Sequence, residues 1–252
     1  TRGFQERFQK ASGCCKMMIE PGPHETLDTL STAGIRMLQP RRGYRYSLDS
    51  LILAFFLHLQ KGGSVVDLGA GTGVISMILA KRYPACHIVS IEIQKRLYDL
   101  LAGNLVLNGL NDQVQAIHGD IRKIEEYFDP EKTDAGCSNP PFRKVRSGRM
   151  NPDPEKAIAR HEVELILPDL IHAAAYLLKR HGRFFLIYLP ERLTDLIVQL
   201  RQNSIEPRRM QTIHSFPGTP PVLVMVEAIK GARAGMKMEA PFIIYRDKTG
   251  AY

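Results

Sequence analysis

The sequence has few of the features that hold secreted, membrane-embedded or metal-dependent chains together. Its four cysteines, Cys14, Cys15, Cys86 and Cys137, form no CxxC pair, and the two adjacent ones are poorly placed to bridge each other. A disulfide-stapled miniprotein is excluded, and a reduced, cytoplasmic protein is expected. The longest apolar stretch, Leu51 to Leu59, is interrupted by His58 and falls far short of the roughly 18 residues that span a bilayer. No membrane partner is expected. The opening TRGFQERFQK lacks both an initiator Met and the apolar run of a secretory signal, so truncation at this end is the expectation. The eight histidines show no H-E-x-x-H and no clustered Cys/His spacing, and no metal site is expected. No internal repeat or low-complexity tract occurs.

With 252 residues, 44% hydrophobic and 24% charged, the chain is long enough for one well-buried α/β domain plus a small extension. The formal net charge is +8, but the basic excess avoids the middle. Residues 1–46 carry 8 basic and 4 acidic side chains, and 143–160 carry 6 and 2, whereas 47–142 carry 8 and 11. A polyanionic partner is therefore expected to touch the N-terminal arm and the 143–160 segment, unless these are ordinary solvated charges.

Short β-rich runs alternate with longer helical ones. Strands are expected at 64–68, 87–93, 114–118, 133–138, 183–189, 210–214 and 222–229, and helices at 50–59, 73–82, 95–108, 162–180 and 191–202. This alternation predicts an α/β fold: a Rossmann-like, doubly wound, seven-stranded and mostly parallel sheet with helices on both faces. Only residues 215–221 separate the last two strands, too few for a crossover helix, so these strands form an antiparallel C-terminal hairpin with Pro217, Gly218, Pro220 and Pro221 in the turn.

Val65-Val66-Asp67-Leu68-Gly69-Ala70-Gly71-Thr72-Gly73 runs from a buried strand into a helix. Glycines at 69, 71 and 73 let the backbone turn tightly and approach a ligand where a Cβ would clash. Glu92 ends the next strand, where a carboxylate can accept from two ribose hydroxyls. Asp120 ends the third and can accept from an adenine amino group while Ile121 packs on the ring. Three strand ends thus converge on an adenosine-like ligand. A dinucleotide loop usually reads G-x-G-x-x-G, with pyrophosphate at the helix start. In G-x-G-x-G, Asp67 stands two residues ahead and would repel a pyrophosphate, but it tolerates the sulfonium and ammonium of S-adenosylmethionine.

The fourth strand runs into Ser138-Asn139-Pro140-Pro141-Phe142. Two prolines lock an extended backbone and hold Asn139 and Phe142 at fixed positions. The Asn139 and Pro140 carbonyl oxygens can receive both hydrogens of a planar NH2 group, and the Phe142 ring offers a face for an unstacked base. These parts suit methyl transfer from a sulfonium to an exocyclic amine. The alternative is a strand-terminating turn with Phe142 in the core.

DLGAGTG with Glu92, Asp120 and SNPPF resembles the class I S-adenosylmethionine-dependent methyltransferases of the N-P-P-[YF] group. Gly43 to Ser50 looks like the segment that in this group flanks the methionine end of the cofactor. Ser147 to Pro152 and Ala157 to Glu162 look like the post-motif loop of bacterial tRNA(Val) adenine-N6-methyltransferases. The likeness, which takes in the Glu25–Leu30 segment, covers about residues 25 to 230. It implies S-adenosylmethionine held by Tyr46, Ser47, Asp49, Asp67, Gly69, Gly71, Gly73, Glu92, Ile93, Asp120, Ile121 and Asn139. It implies catalysis by Asn139, Pro140 and Phe142, and an RNA (tRNA) partner at Arg143, Lys144, Arg146, Arg149 and Arg160. Residues 1–46 would be an N-terminal arm and 47–252 the catalytic domain. Phe142 replaces the commoner Tyr, Arg143 and Lys144 stand where apolar residues are usual, and Gly136 and Cys137 make a poor strand end. Ser47 and Asp49 also suit a helix N-cap, and His161 is a further general-base candidate beside its reading as a capping or surface group. Protein-glutamine N5-methylation, DNA adenine methylation and a non-catalytic RNA-binding role are the competing readings.

Overall fold

A computed structural model describes residues 21–43, 45–141 and 167–247. The strands are β1 (Glu25–Leu30), β2 (Ile35–Pro40), β3 (Ser64–Leu68), β4 (His87–Glu92), β5 (Val114–His118), β6 (Thr133–Ser138), β7 (Leu178–Tyr188), β8 (Ile205–His214), β9 (Pro221–Lys230), β10 (Lys237–Met238) and β11 (Phe242–Ile243). The α-helices are α1 (Leu48–Phe56), α2 (Val74–Arg82), α3 (Lys95–Leu107), α4 (Leu167–Leu177) and α5 (Leu193–Gln202).

The central sheet runs β5-β4-β3-β6-β7-β9-β8, parallel from β5 to β7 and antiparallel across β7-β9-β8. These are the seven expected strands. Two further two-residue strands, β10 and β11, pair in parallel with β8 and bring the sheet to nine. The chain winds outward from β3 through β4 to β5, then returns to lay β6 on the other side of β3. The crevice beyond the carboxyl ends of β3 and β6 is therefore the topological switch point, where open α/β sheets bind ligands. One apolar layer, including Leu53, Met77, Ile78 and Phe185, fills one face of the sheet. A second, including Leu170, Ile171, Phe184 and Leu196, fills the other.

Gly136 sits in mid-strand because a Cβ there would lie 3.1 Å from the Phe184 ring and 3.4 Å from Val66. What reads in sequence as a poor strand end is a packing accommodation. The expected helix over 162–180 ends at Leu177, and Leu178 to Arg180 already belong to β7. The apolar period runs on through Leu178, but Lys230 Nζ donates to the carbonyls of Ala175 (2.8 Å) and Leu178 (2.9 Å), a cation closing the helix end. His181, with φ of 66°, lies inside β7 at the irregularity between Leu178, which pairs with Thr133, and Arg183, which pairs with Ala135. Strand β8 starts five residues before its expected first residue and absorbs Pro207 at a register shift, as a residue without an N–H requires.

The β1–β2 hairpin had no counterpart among the expected strands. It turns through Gly34, at φ 61°, and its β2 edge is bonded by two side chains, Asn104 of α3 and Asn108, the residue capping the C-terminus of that helix. Asn104 Oδ1 accepts from Leu38 N (2.6 Å) and its Nδ2 donates to Leu38 O (3.0 Å). Asn108 does the same to Arg36 N (2.9 Å) and O (2.7 Å). Four helical residues rise about 6 Å and two strand residues about 6.7 Å, so carboxamides at i and i+4 match alternate residues of a strand edge. Ile35 and Met37 enter the main core, and Leu38 packs with Leu97 and Leu100.

Candidate active site at the carboxyl ends of the sheet

The glycine loop leaves β3 in left-handed backbone, with φ of 78°, 59° and 88° at Gly69, Gly71 and Gly73. Each glycine serves a different neighbour. A Cβ on Gly69 would meet only open space, so that face of the loop is left for a ligand. A Cβ on Gly73 would stand 2.3 Å from Leu101 Cδ1, so Gly73 serves the packing of α2 on α3. The amides of Gly69 and Ala70 donate to the Ile91 carbonyl at 3.0 and 2.9 Å, and Gly71 N donates to Glu92 Oε2 at 2.8 Å.

Glu92 is 5% exposed, and its other oxygen accepts from Gln94 N at 2.8 Å. Burial raises its pKa above the ordinary carboxylate value, opposed by the backbone donors at Gln94 and Gly71. Each oxygen keeps lone-pair capacity for a further donor. Asp120 is held by Arg122, whose Nε and Nη2 donate to Oδ2 at 2.9 and 2.6 Å. Those hydrogen bonds are the largest cause of its lowered pKa. Its expected role as acceptor for an adenine amine therefore shares the carboxylate with a guanidinium. Gly119 precedes it because a Cβ there would lie 2.8 Å from the Tyr127 ring, whose hydroxyl accepts from Asp120 N at 3.3 Å.

Asn139 follows β6 directly. Its Nδ2 donates to Ser50 Oγ at 2.8 Å, on the first turn of α1, and Ser50 is 1% exposed. With the amide nitrogen held there, the Asn139 carbonyl oxygen is the end left to accept from a ligand. Ser138 Oγ donates to Leu68 O at 2.8 Å and ties the turn to the end of β3.

A cavity with about 710 Å³ of empty space, open mouth included, is lined by Gly69, Gly71, Glu92, Ile93, Asp120, Ile121 and Asn139, joined by Ile91, Gln94, Leu97, Gly119, Arg122 and Pro141. Tyr46, Ser47, Asp49, Asp67, Gly73 and Pro140 do not line it. Asp67 is wholly buried behind the loop. Its Oδ2 accepts from Ser76 Oγ at 2.6 Å, and Ser90 Oγ donates to Ser76 Oγ at 2.7 Å. Burial pushes its pKa up to about 6, with the Ser76 and Cys137 hydrogen bonds pulling the other way. The acid expected beside the ligand is thus an interior group under the loop. Ser47 occupies the N-cap position of α1, but its hydroxyl donates to Asp49 Oδ2 at 3.1 Å rather than capping a backbone amide. Tyr46 N donates to Gln39 Oε1 at 3.0 Å, which binds this segment to the hairpin. Phe142, Arg143, Lys144, Arg146, Arg149, Arg160 and His161 lie outside the described residues. No group of three or more potential metal ligands occurs among the described residues, and no described helix is long and apolar enough to cross a membrane.

Sequence reasoning missed Ser50 and Arg122 as members of this constellation. Ser50 carried a faint signal, since it closes the Gly43–Ser50 segment. Arg122 carried none beyond its position two residues after Asp120.

A doubly wound sheet with a glycine loop, an acidic strand end and an Asn-Pro-Pro turn at its switch point defines a Rossmann-like methyltransferase. Solved structures share that fold. A crystal structure of a predicted O-methyltransferase from Agrobacterium tumefaciens superposes with a TM-score of 0.67 at 21% identity, covering 81% of this chain and 91% of that one. M. jannaschii TYW2 in complex with AdoMet superposes with a TM-score of 0.58 at 19% identity, covering 84% and 88%. The profile of the family described as "Methyltransferase small domain" matches residues 47–191, and the chain belongs to that family. Among curated relatives, the tRNA1(Val) (adenine(37)-N6)-methyltransferase of Porphyromonas gingivalis is 30% identical over 189 residues, covering 73% of each chain. The protein of the same name from Pedobacter heparinus is 28% identical over 156 residues, covering 62% of this chain and 64% of its own.

Proposed function

We propose that the protein transfers a methyl group from S-adenosylmethionine to the N6 amine of an adenine in RNA, and that the RNA is a tRNA methylated near its anticodon. The observation that carries this is the Asn139–Ser50 hydrogen bond. It engages one N–H of the amide inside the protein, and the amide oxygen is the atom of this cavity-lining side chain that can accept. Carbonyl acceptors at Asn139 and Pro140 suit a substrate group with two N–H hydrogens, which an exocyclic amine has and a hydroxyl, with one O–H, lacks.

The residues fit the cofactor. The Gly69 face is open to a ligand, Glu92 lies at hydroxyl-accepting reach of the loop, and Ile93, Ile121 and Leu97 supply apolar walls for a ring. When bound, S-adenosylmethionine supplies an electrophilic methyl on sulfur. Asn139 Oδ1 and the Pro140 carbonyl would accept the two amine hydrogens, favour pyramidal nitrogen and aim its lone pair. Phe142, next in sequence after the two prolines, would stack the base, and Arg143, Lys144, Arg146, Arg149 and Arg160 would meet the RNA backbone. The buried free thiols of Cys86 and Cys137 suit a reducing, cytoplasmic setting. The tRNA-modifying names of the relatives support the substrate class.

The test is to incubate the protein with isotopically labelled S-adenosylmethionine and, separately, bulk tRNA, duplex DNA and cellular protein, then map the label by mass spectrometry of digests. Label in N6-methyladenosine from tRNA is the expected result. Label in N5-methylglutamine or in DNA adenine would replace the reading, and label in none of them would leave a binding module.

A further inference from the structure

Resting on the reading of an RNA substrate, we infer that the groove between the β1–β2 hairpin and the start of α3 binds the sugar-phosphate backbone of the RNA beside the methylated base. The groove has about 1640 Å³ of empty space, solvent opening included, and is lined by residues that include Arg41, Arg42, Lys95 and Arg96 as well as Glu25 and Asp99. It is an open trough in which four of the lining side chains are basic and two acidic.

Its charges are unevenly engaged. Asp99 is paired with Lys95, and Glu25 Oε2 accepts from Gly22 N at 2.8 Å. Arg41, Arg42 and Arg96 are exposed and make no ion pair with any described residue. Three guanidinium groups with no ion pair among the described residues therefore line one trough, and guanidinium forks match phosphate oxygens. Helix α3 begins there with no acidic residue in its first turn and no side-chain cap, so its positive end adds to the same field. Arg41 and Arg42 follow β2, which Asn104 and Asn108 hydrogen-bond and which Leu38 packs against α3.

The groove also adjoins the cavity. On the same first turn of α3, Lys95 and Arg96 line the groove while Gln94 and Leu97 line the cavity. Leu97, which lines the cavity, and Leu100, which lines the groove, pack in one cluster with Leu38. A strand lying in the groove would pass the wall of the cavity that Asn139 faces. Backbone contacts of this kind fix register and carry no base sequence.

The test is the triple variant Arg41→Gln, Arg42→Gln, Arg96→Gln, compared with wild type for binding of fluorescent tRNA across a salt series. Neutralising three contacts should flatten the slope of log affinity against log salt by about 2, from about 0.7 per phosphate, and weaken binding at least about tenfold at low salt. Melting temperature and S-adenosylhomocysteine affinity should match wild type, which shows that the fold is intact. Unchanged slope and affinity would overturn the groove, as would a wild-type protein that binds no tRNA. A polyglutamate of matched charge that displaced tRNA as well as RNA does would overturn the assignment to RNA. Because the readout is binding, its failure is distinct from that of the proposed reaction, which is read by methyl mapping alone.

Discussion

Ser50 accepts the Asn139 Nδ2 hydrogen at 2.8 Å across 89 residues of sequence, joining the first turn of α1 to the end of β6. The bond anchors the amide nitrogen and so orients the side chain that lines the cavity. Ser50→Ala should therefore slow single-turnover methylation of tRNA by about tenfold, the scale of one hydrogen bond. Asn139→Ala, which removes the acceptor itself, should slow it about a hundredfold or more. S-adenosylhomocysteine affinity should change far less than rate in both. Equal rates for wild type and Asn139→Ala would reduce the Asn-Pro-Pro segment to a turn.

Glu92 holds the loop and is offered to the ligand at once, through Gly71 N and Gln94 N. Glu92→Ala should weaken S-adenosylhomocysteine binding by about 1.5 to 3 kcal/mol, the value of a charge-assisted hydrogen bond. Titration calorimetry measures it, with NAD expected to bind more weakly than S-adenosylhomocysteine to the wild type.

Asp67 gives the protein a pH dependence of unusual sign for a carboxylate. Its pKa in the folded chain is about 6, against an ordinary 3.8, so the folded state holds the proton more tightly than the unfolded state. Stability from this group is present below about pH 4 and is lost as pH rises through about 6, by about 3 kcal/mol in all. Asp120 and Asp134, whose pKa values are lowered, act oppositely, losing stability as pH falls. The difference between wild type and Asp67→Asn in denaturant unfolding from pH 4 to 7 isolates the Asp67 part. Parallel profiles would show that burial does not perturb it.

Asn104 is fully buried, bonding Leu38 N, Leu38 O and Thr72 O. Asn104→Ala leaves buried backbone groups unpaired and should cost about 2 to 4 kcal/mol in urea unfolding, since each orphaned group costs about 1 to 3. Hydrogen exchange should quicken first in β1 and β2, because the clamp on the hairpin edge is what the substitution removes.

Between residues 64 and 138 the sequence by itself determined the strands, and it marked the residues at their ends. Val65 to Leu68 and Val114 to His118 form where β-favouring runs end at a glycine, because those signals are local. The convergence of Gly69, Gly71, Glu92, Asp120 and Asn139 on one cavity follows from strand ends in a doubly wound sheet, which fixes their placement once the winding is known. Only the tertiary structure decided the rest. The β1–β2 hairpin carries no strong period of its own and forms an edge that Asn104 and Asn108 complete from a helix more than 60 residues away. Asp67 reads as a ligand's neighbour, yet the loop curls over it, and its partners Ser76 and Ser90 come from two other elements. Ser50 meets Asn139, and Arg41 and Arg42 meet Arg96, only after β6 returns to β3 and the hairpin closes on α3. Such contacts depend on side-chain direction between distant segments, and no local pattern of residues encodes that direction.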